Sequence, residues 1–192
     1  WQTSFYTNGK LSNGVLQGDL IIHGGGDPKW VLERIEENFK TLQVLGVRHI
    51  TGDIILDNSV FELSSKHEAD FDGEPMRSYN STPDGLLVNF KAILLSFTPD
   101  EANQRVIIKA DIPLANVAID ESVPMTNGAC GDWRGQLRAD FGNPNRISFA
   151  GSYSARCGEK IWPIAYSDPA SYAARVVKAM YSAVGGRLDG QV

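Results

Sequence analysis

Residues 14–28, with the sequence GVLQGDLIIHGGGDP, combine a strand pattern with an abrupt run of three glycines. Leu16, Leu20 and Ile22 fall on one face of the predicted strand and give it an apolar side. The glycines at 24–26 end the strand and allow the chain to turn sharply. This stretch therefore predicts a strand that passes directly into a helix, as in a sheet covered by helices.

The predicted helix has clear end signals. Asp27 is suited to cap its N-terminus, and Pro28 suits the first helical position, where its missing N–H would be unpaired anyway. Gly46 is the expected left-handed residue after the last turn. A further strand, HITGDIILD, is predicted at 49–57. Apolar residues at spacings of three and four predict one buried stripe along the helix, formed by Val31, Ile35, Phe39, Leu42 and Leu45.

The same signals recur near the end of the chain, where a second helix is predicted. Asp168 is placed to cap it, Pro169 to begin it and Gly185 to end it. Both helices are expected to pack on a sheet. The buried stripe of the second helix is predicted to comprise Val176, Val177, Met180 and Val184.

The middle of the chain differs from both ends because it contains no comparable amphipathic helix. Gly142–Asn145 form a hairpin signal between two alternating runs. Short strands are predicted from the alternating runs at 86–97, 105–112, 133–141 and 146–153. The sequence thus predicts an α+β fold in which a β-rich insert, 58–161, separates an N-terminal part, 1–57, from a returning C-terminal helix in 162–192.

Composition narrows the possible functions. The chain has 192 residues, 42% of them hydrophobic, and a net charge of −5. An acidic chain without clustered Lys and Arg is not expected to bind nucleic acid or an anionic membrane surface. No apolar run approaches the roughly 20 residues that span a bilayer. The first residues do not resemble a signal peptide and do not include an initiator Met, which favours a mature chain or an internal fragment.

The two cysteines, Cys130 and Cys157, fit no common zinc-binding spacing, and the chain has only three histidines. A disulfide between them would stabilise the fold by roughly 3–4 kcal/mol by restricting the unfolded chain. It would also indicate an oxidising compartment. The alternative is two free, buried thiols.

Ser78-Tyr79-Asn80 matches the Ser-x-Asn triplet of serine acyl-transfer enzymes of the β-lactamase type. Such a triplet carries chemistry only beside an activated nucleophile. No serine of this chain has Lys three positions later, and no Lys is followed by Thr-Gly or Ser-Gly. The triplet is therefore interpreted as the approach to a strand at 86–90, and no catalytic residue is predicted.

His23 and the glycines after it resemble the loop that supplies oxyanion-hole amides in lipases and esterases. That chemistry also requires Gly-x-Ser-x-Gly, and no serine here has Gly two positions before it. His23 is accordingly predicted to be a strand residue rather than a catalytic base.

Acidic residues cluster at 67–74, HEADFDGE, with one histidine. The spacing of a calcium-binding loop is missing, so neither a metal ion nor another cofactor is expected. The cluster is read as a solvated loop, or alternatively as a site for a positively charged ligand group. It contains His67, Glu68, Asp70, Asp72 and Glu74.

Four stretches, taken in order, resemble one known family. They are GDLIIHGGGDP, GVRHITGDIILDNSVFE, RSYN with TPDGLLVNF, and YSDPASYAARVVKAM, within residues 18–28, 46–62, 77–90 and 166–180. Together they are similar to the class C penicillin-binding proteins, which are D-alanyl-D-alanine carboxypeptidase/endopeptidases of bacterial cell-wall metabolism. The resemblance extends across nearly the whole chain, and the cysteine pair around a β-hairpin also fits it.

The resemblance implies a split catalytic domain with β-rich domains inserted into it. Residues 1–57 would be a strand–helix–strand piece of a β-lactamase/transpeptidase-like catalytic domain, with the Ser-x-x-Lys, Ser-x-Asn and Lys-Thr-Gly motifs outside these 192 residues. The chain alone would be inactive. Its parent would be a periplasmic or extracytoplasmic serine hydrolase that acts on peptidoglycan stem peptides and binds β-lactams. The alternative is a non-catalytic β-rich module that binds peptidoglycan or a partner protein.

The resemblance also implies a substrate-binding pair. An acidic residue five positions before an aromatic one lines the family's pocket for the diamino acid of the stem peptide, and Glu74 and Tyr79 match that spacing. Glu stands where Asp is usual, so Asp72 is a possible substitute. The alternative is a solvated carboxylate beside a packed tyrosine.

Overall fold

The computed structural model of this chain describes residues 1–62, 72–74 and 76–192. Three members of the acidic cluster, His67, Glu68 and Asp70, lie outside the described residues. The described elements of the N-terminal part are β1 (Thr3–Ser12), β2 (Val15–Gly24), α1 (Leu32–Val44), β3 (His49–Ile50) and β4 (Ile54–Asp57).

The elements of the middle and the end follow in chain order. The middle contains β5 (Ala92–Asp100), β6 (Arg105–Ala110), β7 (Ala118–Ile119), β8 (Ser122–Thr126), α2 (Trp133–Leu137), β9 (Ala139–Asn143), β10 (Arg146–Phe149), β11 (Tyr153–Ser154) and β12 (Lys160–Ala165). The end contains α3 (Pro169–Ala183) and β13 (Arg187–Leu188). Short 3₁₀ turns occur at Ser78–Asn80, Asn89–Lys91, Glu101–Asn103 and Ala155–Cys157. Mixed sheets with few helices make this an α+β fold, as predicted.

The first sheet joins the two ends of the chain. β1 and β2 form an antiparallel hairpin, β2 is parallel to β3 and β4, and β3 is parallel to β13. The hairpin turn has φ 50° at Asn13 and φ 83° at Gly14, which is typical of an Asn-Gly turn whose twist matches the strands. α1 and α3 pack together beside this sheet, where the rings of Phe39 and Tyr181 are 5.4 Å apart.

α1 begins later than the sequence indicated. It starts at Leu32, and the carboxylate of Asp27 accepts a hydrogen bond from the Lys29 amide instead of capping the helix. Trp30 pairs with Val88 in a parallel bridge, so tertiary pairing removes this residue from the helix.

The end of α1 is close to the predicted one. Gly46 has φ 100°, the expected left-handed conformation. Ile35, Phe39 and Leu42 are buried as predicted, whereas Leu45 is 68% exposed and does not belong to the stripe.

α3 follows its prediction closely. It begins at Pro169, and Gly185 follows it with φ 87°. Asp168 precedes the helix, but its carboxylate accepts from the Ser171 hydroxyl at 2.6 Å and not from a helix amide. The buried face comprises Tyr172, Val176, Val177, Met180 and Tyr181, with Val184 only partly buried.

The middle of the chain forms two further sheets. One has the strand order β11-β8-β6-β5-β12, and the other has the order β7-β10-β9. Phe97 lies at the centre of a cluster of aromatic rings, with the rings of Trp133, Phe149 and Tyr153 within 5.5–5.8 Å of its own. A disulfide joins Cys130 to Cys157 across a loop that contains α2 and the β9–β10 hairpin.

Several boundaries in the middle differ from the predicted ones. Residues 86–90 do not form the expected strand; β5 begins at Ala92 and continues through Pro99. Residues 133–137 form the short helix α2 rather than part of a strand. The hairpin predicted at 142–145 is present, because β9 and β10 pair across Pro144 and Asn145.

A left-handed turn precedes β5. Asn89, Phe90 and Lys91 have φ of 40°, 55° and 51°, a conformation that is unfavourable for residues with a Cβ. Contacts on both sides hold the turn in place. The Trp30 carbonyl accepts from the Asn89 amide at 3.1 Å, and the Lys91 carbonyl accepts from the Tyr166 amide at 3.2 Å.

Candidate functional site

The segment that contains Asp72, Glu74 and Tyr79 lies against β12. The Met76 carbonyl accepts a hydrogen bond from the Ala165 amide at 2.9 Å, which attaches the segment to the end of that strand. A 3₁₀ turn at 78–80 follows, in which the Asn80 amide donates a hydrogen bond to the Arg77 carbonyl at 2.9 Å. Between this segment and the aromatic face of the β-rich region lies a cavity of about 320 Å³. Its lining includes Glu74, Arg77, Tyr79, Arg134, Phe141 and Trp162.

Asp72 does not itself line this cavity, but it is the centre of the polar contacts that join Glu74 and Tyr79, which do. Its carboxylate accepts hydrogen bonds from the Tyr79 hydroxyl at 2.7 Å, the Glu74 amide at 2.9 Å and the Asn80 side chain at 2.6 Å. The bond from Tyr79 is the main cause of a lowered Asp72 pKa, followed by the bond from the Glu74 amide. The same bond raises the pKa of Tyr79. Asp72 is thus held as a carboxylate and Tyr79 as a neutral phenol.

Glu74 is paired differently. Its carboxylate accepts a hydrogen bond from Arg77, three residues later, and forms a salt bridge with it. The hydrogen bond to Glu74 is also the main cause of a raised Arg77 pKa. The structure therefore brings Asp72, Glu74 and Tyr79 into one cluster, in which the ring of Tyr79 is 65% exposed. Asp72, not Glu74, makes the direct contact with the tyrosine.

Arg134 is a cavity residue that the sequence did not indicate. Its guanidinium lies 5.2 Å from the ring centre of Trp133 and 5.4 Å from that of Trp162. Trp162 belongs to β12 and Trp133 to α2, so this contact depends on tertiary packing between elements far apart in the chain. In the local sequence, this contact is indicated only by the neighbouring positions of Trp133 and Arg134.

A second cavity, of about 540 Å³, lies where the 82–91 segment meets the start of α3. Its charged feature is an ion pair between Lys91 and Asp84, with N and O atoms 2.9 Å apart and both side chains about one-tenth exposed. The sequence did not predict this pair, because Lys91 reaches Asp84 only through the left-handed turn at 89–91.

His23 lies on β2, as predicted, and its Nδ1 is 2.8 Å from a carboxylate oxygen of Asp57 on β4. Ser4 lies opposite His23 in the β1–β2 register, but its hydroxyl accepts from the Gln2 side chain. Hydrogen bonds from Ser59, together with the one from His23, lower the pKa of Asp57 to about 2. We regard this pair as a link between neighbouring strands.

Neither a metal site nor a membrane-spanning helix is found in the part of the chain that the structure describes. No group of three or more His, Cys, Asp or Glu side chains in residues 1–62, 72–74 and 76–192 is arranged to hold a metal ion. Within those residues, no helix has the length and apolar character needed to cross a bilayer.

The same fold is found in solved bacterial proteins. A crystal structure of penicillin binding protein 4 (dacB) from Haemophilus influenzae matches with a TM-score of 0.68 and 21% identity, covering 98% of this chain and 41% of that one. A second structure of that protein, complexed with a novel β-lactam, matches with a TM-score of 0.60 and 21% identity, over 98% of this chain and 39% of the other. The fold is that of a low-molecular-mass penicillin-binding protein.

Sequence comparison gives the family. The D-alanyl-D-alanine carboxypeptidase DacB of Haemophilus influenzae is 26% identical over 113 residues, which are 59% of this chain and 23% of that protein. The D-Ala-D-Ala carboxypeptidase 3 (S13) family model matches residues 1–192. The chain belongs to this family, and it spans less than half the length of the relatives that it matches.

Proposed function

We propose that this chain is part of a serine-type D-Ala-D-Ala carboxypeptidase/endopeptidase that acts on peptidoglycan stem peptides outside the cytoplasm. Family membership across residues 1–192 supports the reaction class. The disulfide between Cys130 and Cys157 supports an oxidising compartment such as the periplasm.

The nucleophile in this proposal lies outside the 192 residues. They contain neither Ser-x-x-Lys nor Lys-Thr-Gly, and the matched relatives are more than twice as long. Residues 1–57 and 162–192 would contribute to the catalytic domain, and 58–161 would be inserted into it. In the whole protein, a lysine-activated serine would attack the carbonyl of the penultimate D-Ala through an oxyanion-stabilised intermediate.

The contribution of this chain would be to bind the side chain of the stem peptide's diamino acid. The observation that carries this role is that Tyr79 and Glu74 line the cavity while the Tyr79 hydroxyl donates to Asp72 directly behind them, so that carboxylates and an exposed ring lie side by side. A carboxylate attracts an ammonium, and the ring can cover the aliphatic part of the same side chain. Glu74 adds a second negative charge that Arg77 partly compensates.

Labelling with a fluorescent penicillin tests the reaction class. The full-length protein should be acylated on a serine outside residues 1–192, and the isolated chain should remain unlabelled. Labelling of a serine within residues 1–192 would overturn our placement of the nucleophile. A full-length protein that is not labelled at all would favour the alternative, a non-catalytic module that binds peptidoglycan or a partner protein.

Substitutions in the acidic cluster test the binding role. An ammonium–carboxylate contact at this exposed cluster is modest in strength, so Asp72→Asn or Glu74→Gln should lower kcat/KM by about fivefold to thirtyfold in the full-length enzyme. Acetylating the side-chain amine of the substrate should remove the difference between variant and wild type. Penicillin acylation rates should hardly change.

The control is Glu159→Gln, which removes an exposed carboxylate of the same region that does not line the cavity. It should leave peptide turnover unchanged. If neither Asp72→Asn nor Glu74→Gln affects peptide turnover, the cluster is a solvated loop and the binding role is wrong.

A further inference from the structure

A further cavity, of about 430 Å³, lies along α3 and has cationic and amide groups in its walls. We propose that this cavity binds a phosphate group. The inference goes beyond the proposed enzymatic function, because none of the described residues that line this cavity lines the candidate site. The polar lining of the cavity includes Asn116, Asn145, Arg175, Lys178 and Gln191.

Arg175 is fixed in this cavity, but no anion contacts its guanidinium among the described residues. The guanidinium donates four hydrogen bonds, all to neutral oxygens: the Ser171 hydroxyl at 2.9 Å, the carbonyls of Ala115 and Asn116 at 3.2 and 3.4 Å, and the side chain of Asn145 at 2.8 Å. The carboxylate of Asp168 is linked to Arg175 only through the Ser171 hydroxyl, from which it accepts at 2.6 Å. The positive charge of Arg175 is therefore held at the cavity without a direct counter-ion.

Lys178 adds a second positive charge to the same wall. It follows Arg175 by three positions on α3, so the two side chains lie on neighbouring parts of one helix face. Within residues 1–62, 72–74 and 76–192, Lys178 forms neither an ion pair nor a side-chain hydrogen bond, and no described residue that lines the cavity is acidic. On α1, by contrast, Lys40 pairs with Glu36 one turn earlier. Two like charges this close repel each other, and an anion between them would remove that repulsion.

The other walls of the cavity provide amide donors on an anchored backbone. Because the side-chain oxygen of Asn145 accepts from Arg175, its amide nitrogen is left as a donor. The side chains of Asn116 and Gln191 also have no hydrogen-bond partner in the part of the chain that the structure describes. The loop at 115–116 is tied to α3 in both directions, since the Ala115 amide donates to the Arg175 carbonyl at 3.1 Å. An anion would therefore meet donors whose backbone positions are already fixed.

The arrangement of the remaining donors fits a phosphate better than a carboxylate. A carboxylate is bound best by two parallel N–H groups of one guanidinium, and Arg175 already uses four of its five. What remains is one N–H group of Arg175, the ammonium of Lys178 and amides on two other walls. Lysine binds phosphate as a point charge. A tetrahedral phosphate, which carries up to two negative charges and oxygens in several directions, matches two positive charges and donors that converge from different elements.

Titration calorimetry on the full-length protein, in phosphate-free buffer of low ionic strength, tests the site. Inorganic phosphate should bind with a Kd on the order of 1 mM, and the affinity should fall as salt is added, because the charges are partly exposed. Dimethyl phosphate distinguishes the sources of the group: comparable affinity indicates a phosphodiester ligand, and much weaker affinity indicates a terminal phosphate. Acetate should bind at least tenfold more weakly than phosphate. Wild-type protein that does not bind either phosphate compound, or that binds acetate as tightly, would overturn the inference.

Variants of Lys178 locate the binding at this cavity. Lys178→Gln should weaken phosphate binding about tenfold, as expected for one lost charge-assisted contact, and Lys178→Glu should abolish it. Neither change removes a described hydrogen bond, so far-UV circular dichroism should match that of the wild type. The control is Lys109→Gln on β6, which removes an exposed lysine that also lacks a described ion pair and does not line the cavity. Unchanged phosphate affinity in both Lys178 variants, or an equal loss in the control, would show that phosphate does not bind here.

Discussion

The α/β region, formed by β1–β4, α1, α3 and β13, and the β-rich region, formed by β5–β12 with α2, build their cores differently. The α/β region uses long elements whose apolar residues recur at regular spacing, as in β2 and α3. In the β-rich region, every described strand except β5 has two to six residues, and the core is a cluster of aromatic rings around Phe97. A disulfide supplements that cluster.

This difference shows how short strands can form a stable core. A short strand buries little apolar area, so large rings that each bury 150–250 Å² replace aliphatic side chains. The disulfide adds stability that does not depend on buried area. The same aromatic residues also form one wall of the candidate site, because Trp162 and Phe141 line the cavity. In the β-rich region, aromatic residues that pack on the core thus also border the cavity.

The two regions are connected by their cores. Buried side chains of both belong to one hydrophobic cluster. The hydroxyl of Tyr172 on α3 donates to the Ala92 carbonyl at the start of β5, at 2.7 Å, and burial raises the pKa of this tyrosine. Trp30 pairs with Val88 at the same junction. We therefore expect the regions to unfold together.

The largest expected effect concerns this cooperativity. Phe97 and Phe39 are both fully buried, one in each region, and truncating either to Ala should lower the free energy of unfolding by about 3–5 kcal/mol. Urea titration followed by far-UV and near-UV circular dichroism measures this. Because the core is continuous, the two signals should change together in both variants. A near-UV transition that keeps its wild-type midpoint in Phe39→Ala would show that the regions unfold independently.

The next effect originates in the β-rich region. Replacing Cys130 and Cys157 together by Ser should lower the free energy of unfolding by roughly 3–4 kcal/mol, because the unfolded chain is no longer cross-linked. Denatured, unreduced wild-type protein should show no reactive thiol in a titration. Two free thiols in protein freshly prepared from an oxidising compartment would contradict the disulfide and remove this difference between the regions.

The junction itself provides the third prediction. Asp84→Asn leaves Lys91 buried without its counter-ion and should destabilise the protein by about 2–3 kcal/mol in chemical denaturation. Adding Lys91→Met should restore most of this loss, because removing both charges also removes their desolvation penalty. If the double variant is no more stable than Asp84→Asn, the ion pair is not the cause of the loss.

The sequence predicted the α/β region better, for a physical reason. The ends of α3 depend on Pro169 and Gly185, whose conformational preferences are local. The predicted start of α1 was wrong because Trp30 pairs with Val88, which is a tertiary contact. In the β-rich region, the alternation at 133–137 suggested a strand, but this segment forms a helix whose first residue, Trp133, packs on Phe97.

Prediction of the candidate site from the sequence was limited by tertiary contacts in the same way. Family spacing singled out Glu74 and Tyr79, with Asp72 as a possible substitute, and the structure brings the three together, while their role in binding stays a prediction. Arg134 was not predicted, because its place beside the edge-packed rings of Trp133 and Trp162 depends on a contact between α2 and β12. Residues that act through tertiary contacts leave no local pattern in a sequence.

The smallest expected effect is that the pKa shifts of two aspartates, one in each region, have opposite signs. Hydrogen bonds from Ser59 and His23 lower the Asp57 pKa to about 2, so the stability that they provide is present above the unfolded value of 3.8 and is lost as pH falls towards 2. Burial raises the pKa of Asp111, which follows β6, so its ionisation opposes folding as pH rises through its folded pKa.

Carboxyl NMR titration measures both values in one experiment. Asp57 should titrate near pH 2 and Asp111 above 3.8, and His23→Gln should raise the pKa of Asp57 while leaving that of Asp111 unchanged. The reason is that His23 donates to Asp57, whereas Asp111 is affected mainly by its own burial near Leu94, whose amide it accepts from at 2.7 Å. If both carboxyls titrate at the same pH, the prediction that the pKa of Asp57 is lowered and that of Asp111 is raised is wrong.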